Sequence, residues 1–433
     1  MPNSSDFGLS RRAWLQLVGG AAAFLPAARL YGQGAPSAVE MIADTGEAAK
    51  YWARWRGPSG QGIVAGTGYV DKWSATQNVK WKTPVPGAGN SSPIVWRDRV
   101  LLTTSYDQGG RLSMLAFDRA TGKQLWETFA PQGRNVRVHR KNGYASATPS
   151  TDGERVYVSL GARGLLAVDM SGKVVWHQDV GQINNYHGPA GSALLYKDRL
   201  ILYQDSQGSA FIAAYEARTG KQLWRTSRNA SVGWGTPVVI RVDGHDEVIV
   251  NGQNRVCAYN PDTGVELWNC AGPTVEVIPT PVVGHGLVFC SSGRQGPTLA
   301  IRPGGRGDVT SSHVAWSTPR GSPFVPSPVI AGDLLYVVND MQSIATCFEA
   351  KSGETMWQSR LGEARREGFS ASPVFVDGKV FFTNDDGETF VLKAGRTFQQ
   401  LHVNNIGARM LASPALVDGT WYMRTDGHLL AIA

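Results

Sequence analysis

The sequence predicts an all-β fold: an eight-bladed β-propeller with four-stranded antiparallel blades, closed by N-terminal strand pairing into the last blade. Three observations carry this. A phrase of the form A-x-D-x-x-T-G-x-x-x-W recurs down the chain. Eight prolines open its copies, namely Pro93, Pro149, Pro189, Pro237, Pro281, Pro328, Pro373 and Pro414, at spacings of 40 to 56 residues. A period of that length holding several short strands is a propeller blade rather than a helical solenoid. The 433 residues also include 51 glycines and 23 prolines. Without a G-x-y period that content excludes collagen and favours a turn-rich β protein. A hydrophobic share of 42% excludes a disordered chain. The net charge of +7, from 42 basic and 35 acidic residues, is too small and dispersed for a nucleic-acid binder.

Taken in order, residues 1–35 come first. Ser10-Arg11-Arg12-Ala13-Trp14-Leu15-Gln16 precedes a mild apolar stretch. It resembles the twin-arginine export signal, with Trp14 where phenylalanine is usual. A soluble periplasmic protein is therefore expected. No cysteine lies there to accept a lipid. No stretch reaches about 18 apolar residues, so no membrane span is expected. Residues 36–75 form an N-terminal extended segment, and residues 76–433 the propeller.

The clearest copy of the phrase runs Ala116-Phe117-Asp118-Arg119-Ala120-Thr121-Gly122-Lys123-Gln124-Leu125-Trp126. Further copies end at Trp176, Trp224, Trp268, Trp357 and, in a stretched form, Trp316. In the second unit the four strands are expected near Ala145–Ser150, Val156–Leu160, Leu165–Asp169 and Val174–His177. Glycine in the T-G pair allows a positive φ in the last hairpin of each blade. The preceding Asp accepts turn amides. Each Trp is a large flat face to wedge between blades. The seventh unit lacks its Trp, and Phe398 or Leu401 is expected to substitute. The eighth unit stops at Ala433 without an outer strand, and Val79-Lys80-Trp81-Lys82-Thr83 is spare. Pairing the two removes an exposed sheet edge. Trp81 thereby joins the structural tryptophans.

This phrase resembles the tryptophan-docking repeat of the pyrroloquinoline quinone (PQQ) family, over about residues 51–433. Trp52-Ala53-Arg54-Trp55-Arg56-Gly57-Pro58 is similar to the N-terminal segment of such repeat proteins. The resemblance implies three functions. One is a periplasmic scaffold that binds a ligand or a protein. The second is a small PQQ-dependent alcohol or sugar dehydrogenase, with calcium. The third is a BamB-like factor of outer-membrane protein assembly. Dehydrogenases of the family carry adjacent cysteines against the quinone and an Asp, Glu and Asn set in the channel mouth. No segment here matches those motifs, so no catalytic residue and no metal ligand is assigned, and a scaffold is favoured. The four cysteines, Cys257, Cys270, Cys290 and Cys347, have no zinc spacing. They read as small buried hydrophobes, with a Cys257–Cys270 bridge left open.

In a propeller, the loops entering the inner strands ring the channel mouth. Upstream of the eight prolines stand Asn90, Tyr144, His187, Trp234, Val277, Phe324, Phe369 and Met410. Tyr144, His187, Trp234, Phe324 and Phe369 are candidates for stacking on a planar ligand or gripping a peptide. The longest inter-blade loop adds Arg134, Arg137, His139, Arg140 and Lys141. Arg320, Arg365, Arg366 and Arg409 follow. This charge is expected to favour an anionic small molecule or a protein partner. Arg140, Tyr144 and Arg409 complete the ligand candidates. A monomer is expected.

Overall fold

The computed structural model describes residues 39–433 except 134, 135 and 295. The expected export signal and Arg134 lie outside the described residues. Blade 1 consists of Ile94–Trp96, Arg99–Tyr106, Arg111–Asp118 and Gln124–Phe129, from the inner to the outer strand. Blades 2 to 7 follow at residues 150–178, 194–227, 238–271, 282–317, 329–360 and 374–405. Blade 8 has Ala415–Val417, Thr420–Arg424 and His428–Ile432, and its outer strand is Val79–Pro84. That strand pairs antiparallel with the chain end, Trp81 opposite Ala431. Apolar side chains of neighbouring blades interleave, as do Ile94 and Leu101 with Val156 and Val158.

Closure is visible at the inner strands. The residue at each inner-strand start is Ser or Thr, and its hydroxyl accepts the backbone N–H of the blade before. Ser92 donates to Thr148, Thr148 to Ser192, Ser192 to Thr236 and Thr236 to Thr280. Thr280 donates to Ser327, Ser327 to Ser372, Ser372 to Ser413 and Ser413 back to Ser92. All eight bonds measure 2.9–3.2 Å. They make a complete girdle around the channel. It also corrects one anchor. Blade 3 enters at Ser192-Ala193, not at Pro189, because an inner-strand start needs the hydroxyl and tolerates loss of the proline.

At the rim, six indoles donate to the outer turn of the next blade. Trp81 reaches Arg119 O, Trp126 Met170 O, Trp176 Ala217 O and Trp224 Pro261 O, at 2.9–3.1 Å. Trp316 and Trp357 do the same with Ala350 O and Gly395 O. Trp268 differs. The connection between the last two strands of blade 5 spans residues 302–313, longer than residues 119–123 of blade 1, and this indole is fully buried against Glu247 Oε2 at 2.8 Å. In every blade the outer strand slips register just before the Trp position, as between Ala116 and Phe117 opposite Trp126 and Gln124. Such a bulge re-aims the following side chain.

Blade 7 overturns one expectation. The residue in the tryptophan register is His402, paired with Val391. Leu401 sits at the bulge and is exposed, and Phe398 packs back on Trp357 at 5.2 Å. The reason lies in blade 8. Its outer hairpin is interrupted by the two chain segments, so there is no T-G turn for an indole to meet. Instead His402 Nε2 and Asn404 Nδ2 bond Asp71 O, and Trp73 fills the gap against Phe381 and Trp421.

Residues 39–73 do more than lead into the ring. Val39–Met41 adds to the inner edge of blade 4. Trp52 bridges Val95 of blade 1, Ala53 accepts from Thr151 of blade 2, and Gln61 Oε1 accepts from Val283 of blade 5. Arg56 reaches Pro328 O of blade 6, and Ile63 bridges Phe375 of blade 7. The segment therefore plugs one end of the channel. The cysteines are all free and buried. Cys270 faces Val256 and Cys257 faces Asn269 across the hairpin. One residue off register, the two thiols point to opposite faces, which rules out their bridge.

Candidate functional site

With the far end plugged, the channel opens at the face where loops enter the inner strands. Two residues before each girdle hydroxyl stands a collar position: Asn90, Ser146, Ala190, Trp234, Ile278, Val325, Ser370 and Leu411. All eight line the lumen, which holds about 120 Å³ above a floor made by Trp55. Above the collar the mouth opens into a cavity of about 200 Å³. The collar is two-sided. Blades 3 to 6 contribute Ala190, Trp234, Ile278 and Val325, an apolar arc. Blades 7, 1 and 2 contribute Ser370, Asn90 and Ser146, a polar arc interrupted by Leu411.

The structure brings together His187, Trp234 and Phe324 in the mouth wall. The Trp234 indole donates to Gly188 O at 2.7 Å, which fixes its plane. His187 stacks on it at 5.8 Å and 29°, and Tyr186 meets it edge-on at 6.0 Å. His139 tilts against His187 at 4.8 Å. Burial, with the nearby His139 charge, lowers the His187 pKa. Burial and a hydrogen bond to Glu276 push the Tyr186 hydroxyl up to about 12, so it donates at neutral pH.

The other candidates lie elsewhere. Phe369 is buried in the core against Phe390, and Tyr144 packs on Gly109 in a hairpin of blade 1. Val277 and Met410 are core residues too. The cause is period two: one position along an extended strand turns the side chain to the other face. Arg140 stands on the rim, 3.8 Å from Glu367, and Arg409 pairs with Asp426 at 3.4 Å.

These pairs revise the expected electrostatics. Lys141 reaches across to blade 7, 2.9 Å from Asp385 and 2.6 Å from Glu367 O. Arg294 holds Glu276 at 3.1 Å, and Arg365 pairs with Asp386. Within the mouth cavity Lys141 and Arg294 are thus paired with carboxylates, while Arg137, Arg320 and Arg366 stand exposed on the surrounding loops. Sequence reading missed Asp385, Asp386 and Asp426 because they come from hairpin turns distant in the chain. Below Phe324, Asp340 is buried; Oδ1 takes the Phe324 N–H at 2.7 Å and Oδ2 has no partner among the described residues. Burial pushes its pKa up to about 6, against the pull of the Phe324 amide and Lys141.

A quinone with calcium does not fit this donor set. Calcium needs six to eight oxygen ligands, whereas Glu276 is already occupied by Tyr186 and Arg294. Among the described residues no three His, Cys, Asp or Glu side chains converge on a metal position. The cysteines sit in blade cores, not under a stacking face.

Fold, repeat and collar define a PQQ-like repeat β-propeller. The chain belongs to the family described as outer membrane protein assembly factor BamB, whose sequence model matches residues 53–187, 111–359 and 340–433. It is similar to BamB of Burkholderia pseudomallei, 25% identical over 373 residues, covering 80% of this chain and 85% of that one. It is also similar to a tetrathionate hydrolase of Acidithiobacillus ferrooxidans, 22% identical over 356 residues, covering 73% and 68%. The quinohemoprotein alcohol dehydrogenase of Comamonas testosteroni shares the fold, with a TM-score of 0.63 at 13% identity, covering 89% of this chain and 80% of that one.

Proposed function

We propose that this protein is a non-catalytic binding propeller of the periplasm, exported by its twin-arginine signal, whose channel mouth receives a group from a partner. One observation carries the reading: the channel is a blind well with a rigid aromatic wall whose lining Lys141, Arg294 and Glu276 are already paired, a cavity built to hold rather than to transform. Family membership favours a protein partner in outer-membrane assembly, the role printed in the names of its BamB relatives.

The test places a photoreactive phenylalanine at Tyr186, which is exposed at the mouth. Cross-linking in the native envelope should capture a discrete partner, and the same probe at exposed Lys123 on the rim should not. Equal capture from both positions, or none from either, overturns the reading. A dehydrogenase is the competing function. Turnover of an alcohol or sugar by the purified protein with PQQ, calcium and a dye acceptor would establish it instead.

A further inference from the structure

We infer that the mouth is a receptor for a single neutral aromatic ring bearing a hydrogen-bonding edge. This rests on the mouth being a binding site and names what it binds. Size comes first. A dry cavity of about 150 Å³ lined by apolar side chains holds one benzene. The mouth, at about 200 Å³, takes one ring and a short substituent.

Shape comes next. The plane of Trp234 is held by its bond to Gly188 O and by His187 stacked on it. A flat face ordered beforehand loses little entropy when a second ring slides against it. Ile278 and Val325, from the next two blades, continue the apolar side.

Polarity completes the class. Lys141, Arg294 and Glu276 are engaged with protein partners. A charged ligand has to break one of these pairs or stay unpaired in the cavity, which is costly. Across from Trp234, Ser370 lines the cavity, and its Oγ is buried without a hydrogen-bond partner among the described residues. A hydroxyl or N–H on the far edge of the ring satisfies it. Phenols and indoles meet all three conditions, whether free or as the side chain of a partner's tyrosine or tryptophan.

Equilibrium dialysis of the full chain against p-cresol, toluene and cyclohexanol tests this. p-Cresol should bind saturably, at least tenfold tighter than either probe that lacks the hydroxyl or the aromatic ring. Ser370→Ala should weaken p-cresol about tenfold and leave toluene unchanged. Ala190→Phe, which fills the mouth and removes no contact, should abolish binding at an unchanged melting temperature. A capped Gly-Gly-Tyr-Gly-Gly peptide that binds as well as p-cresol indicates a ring carried by a protein; p-cresol alone indicates a free small molecule. Absence of saturable p-cresol binding, parity with toluene, or indifference to Ala190→Phe overturns the inference. If Tyr186 still cross-links a partner in that case, the binding site stands and its ring specificity falls. If neither result appears, both fall.

Discussion

Asp340 shows what one buried carboxyl does at the mouth. Its folded pKa, about 6, lies above the ordinary aspartate value of about 4. The folded state therefore binds the proton more tightly than the unfolded one. Its favourable contribution is full below about pH 4 and is lost as pH rises through 6. Two pKa units correspond to roughly 2–3 kcal/mol. Asp340→Asn removes this dependence and keeps an acceptor for the Phe324 amide. Urea midpoints should therefore favour the variant increasingly between pH 4 and pH 7; a constant difference across that range would contradict the sign.

Glycine in the T-G turn answers to two demands. Gly220 has φ +76°, and a Cβ there would stand 2.7 Å from the Trp176 ring. Gly244, in the Asp243-Gly244 turn between the two inner strands of blade 4, has φ +84° and open space around it. Gly244→Ala should cost about 1 kcal/mol from backbone strain. Gly220→Ala should cost a further 1–3 kcal/mol from overpacking. Denaturant melts of the two variants separate the indole contact from the dihedral.

At the level of elements, the outer strand of blade 7 and the segment before the ring work as one unit. Trp73 is 3% exposed and packs on Phe381 and Trp421. Trp73→Ala should destabilise by about 3–5 kcal/mol, the range for deleting a buried large aromatic. His402→Trp should not compensate, because blade 8 offers no T-G turn. Recovery of the melting temperature in the double variant would refute this account of the missing tryptophan.

For the whole molecule, the seam between blade 8 and blade 1 decides whether the ring is closed. The girdle bond from Ser413 to Ser92 crosses it, as does the outer strand Val79–Pro84. Arg424 also crosses it, fully buried, donating to Ser91 O, Ser91 Oγ and Thr103 O. Burial depresses its pKa to about 9, against the pull of the Asp426 carboxylate. Arg424→Met removes three bonds and leaves buried acceptors unmet, at about 2–4 kcal/mol. Arg365→Ala cuts a half-exposed pair with Asp386 and should change stability by less than about 0.5 kcal/mol. Chemical denaturation compares the two directly.

The repeat by itself determined the blade count, the closing strand and six rim tryptophans, but not the inward turn of Trp268. Those features are local: a turn needs Gly122, a hairpin needs Asp118 and Thr121, and a sheet edge needs a partner. Trp234, His187 and Phe324 were readable as mouth residues because they sit in loops that a propeller must aim at its axis. Other parts were decided by the tertiary structure alone. Whether Phe324 or Val325 meets the collar depends on strand register, which a one-residue slip inverts. The plug by residues 39–64 depends on hydrogen bonds to inner strands far along the chain, such as Phe375 N–H to Gly62 O and Val64 N–H to Phe375 O. The pairing of Lys141 with Asp385 and of Arg294 with Glu276 depends on which loops the closed ring sets side by side. Contacts of that kind carry no signature in a linear pattern, because each partner alone reads as an ordinary solvated charge.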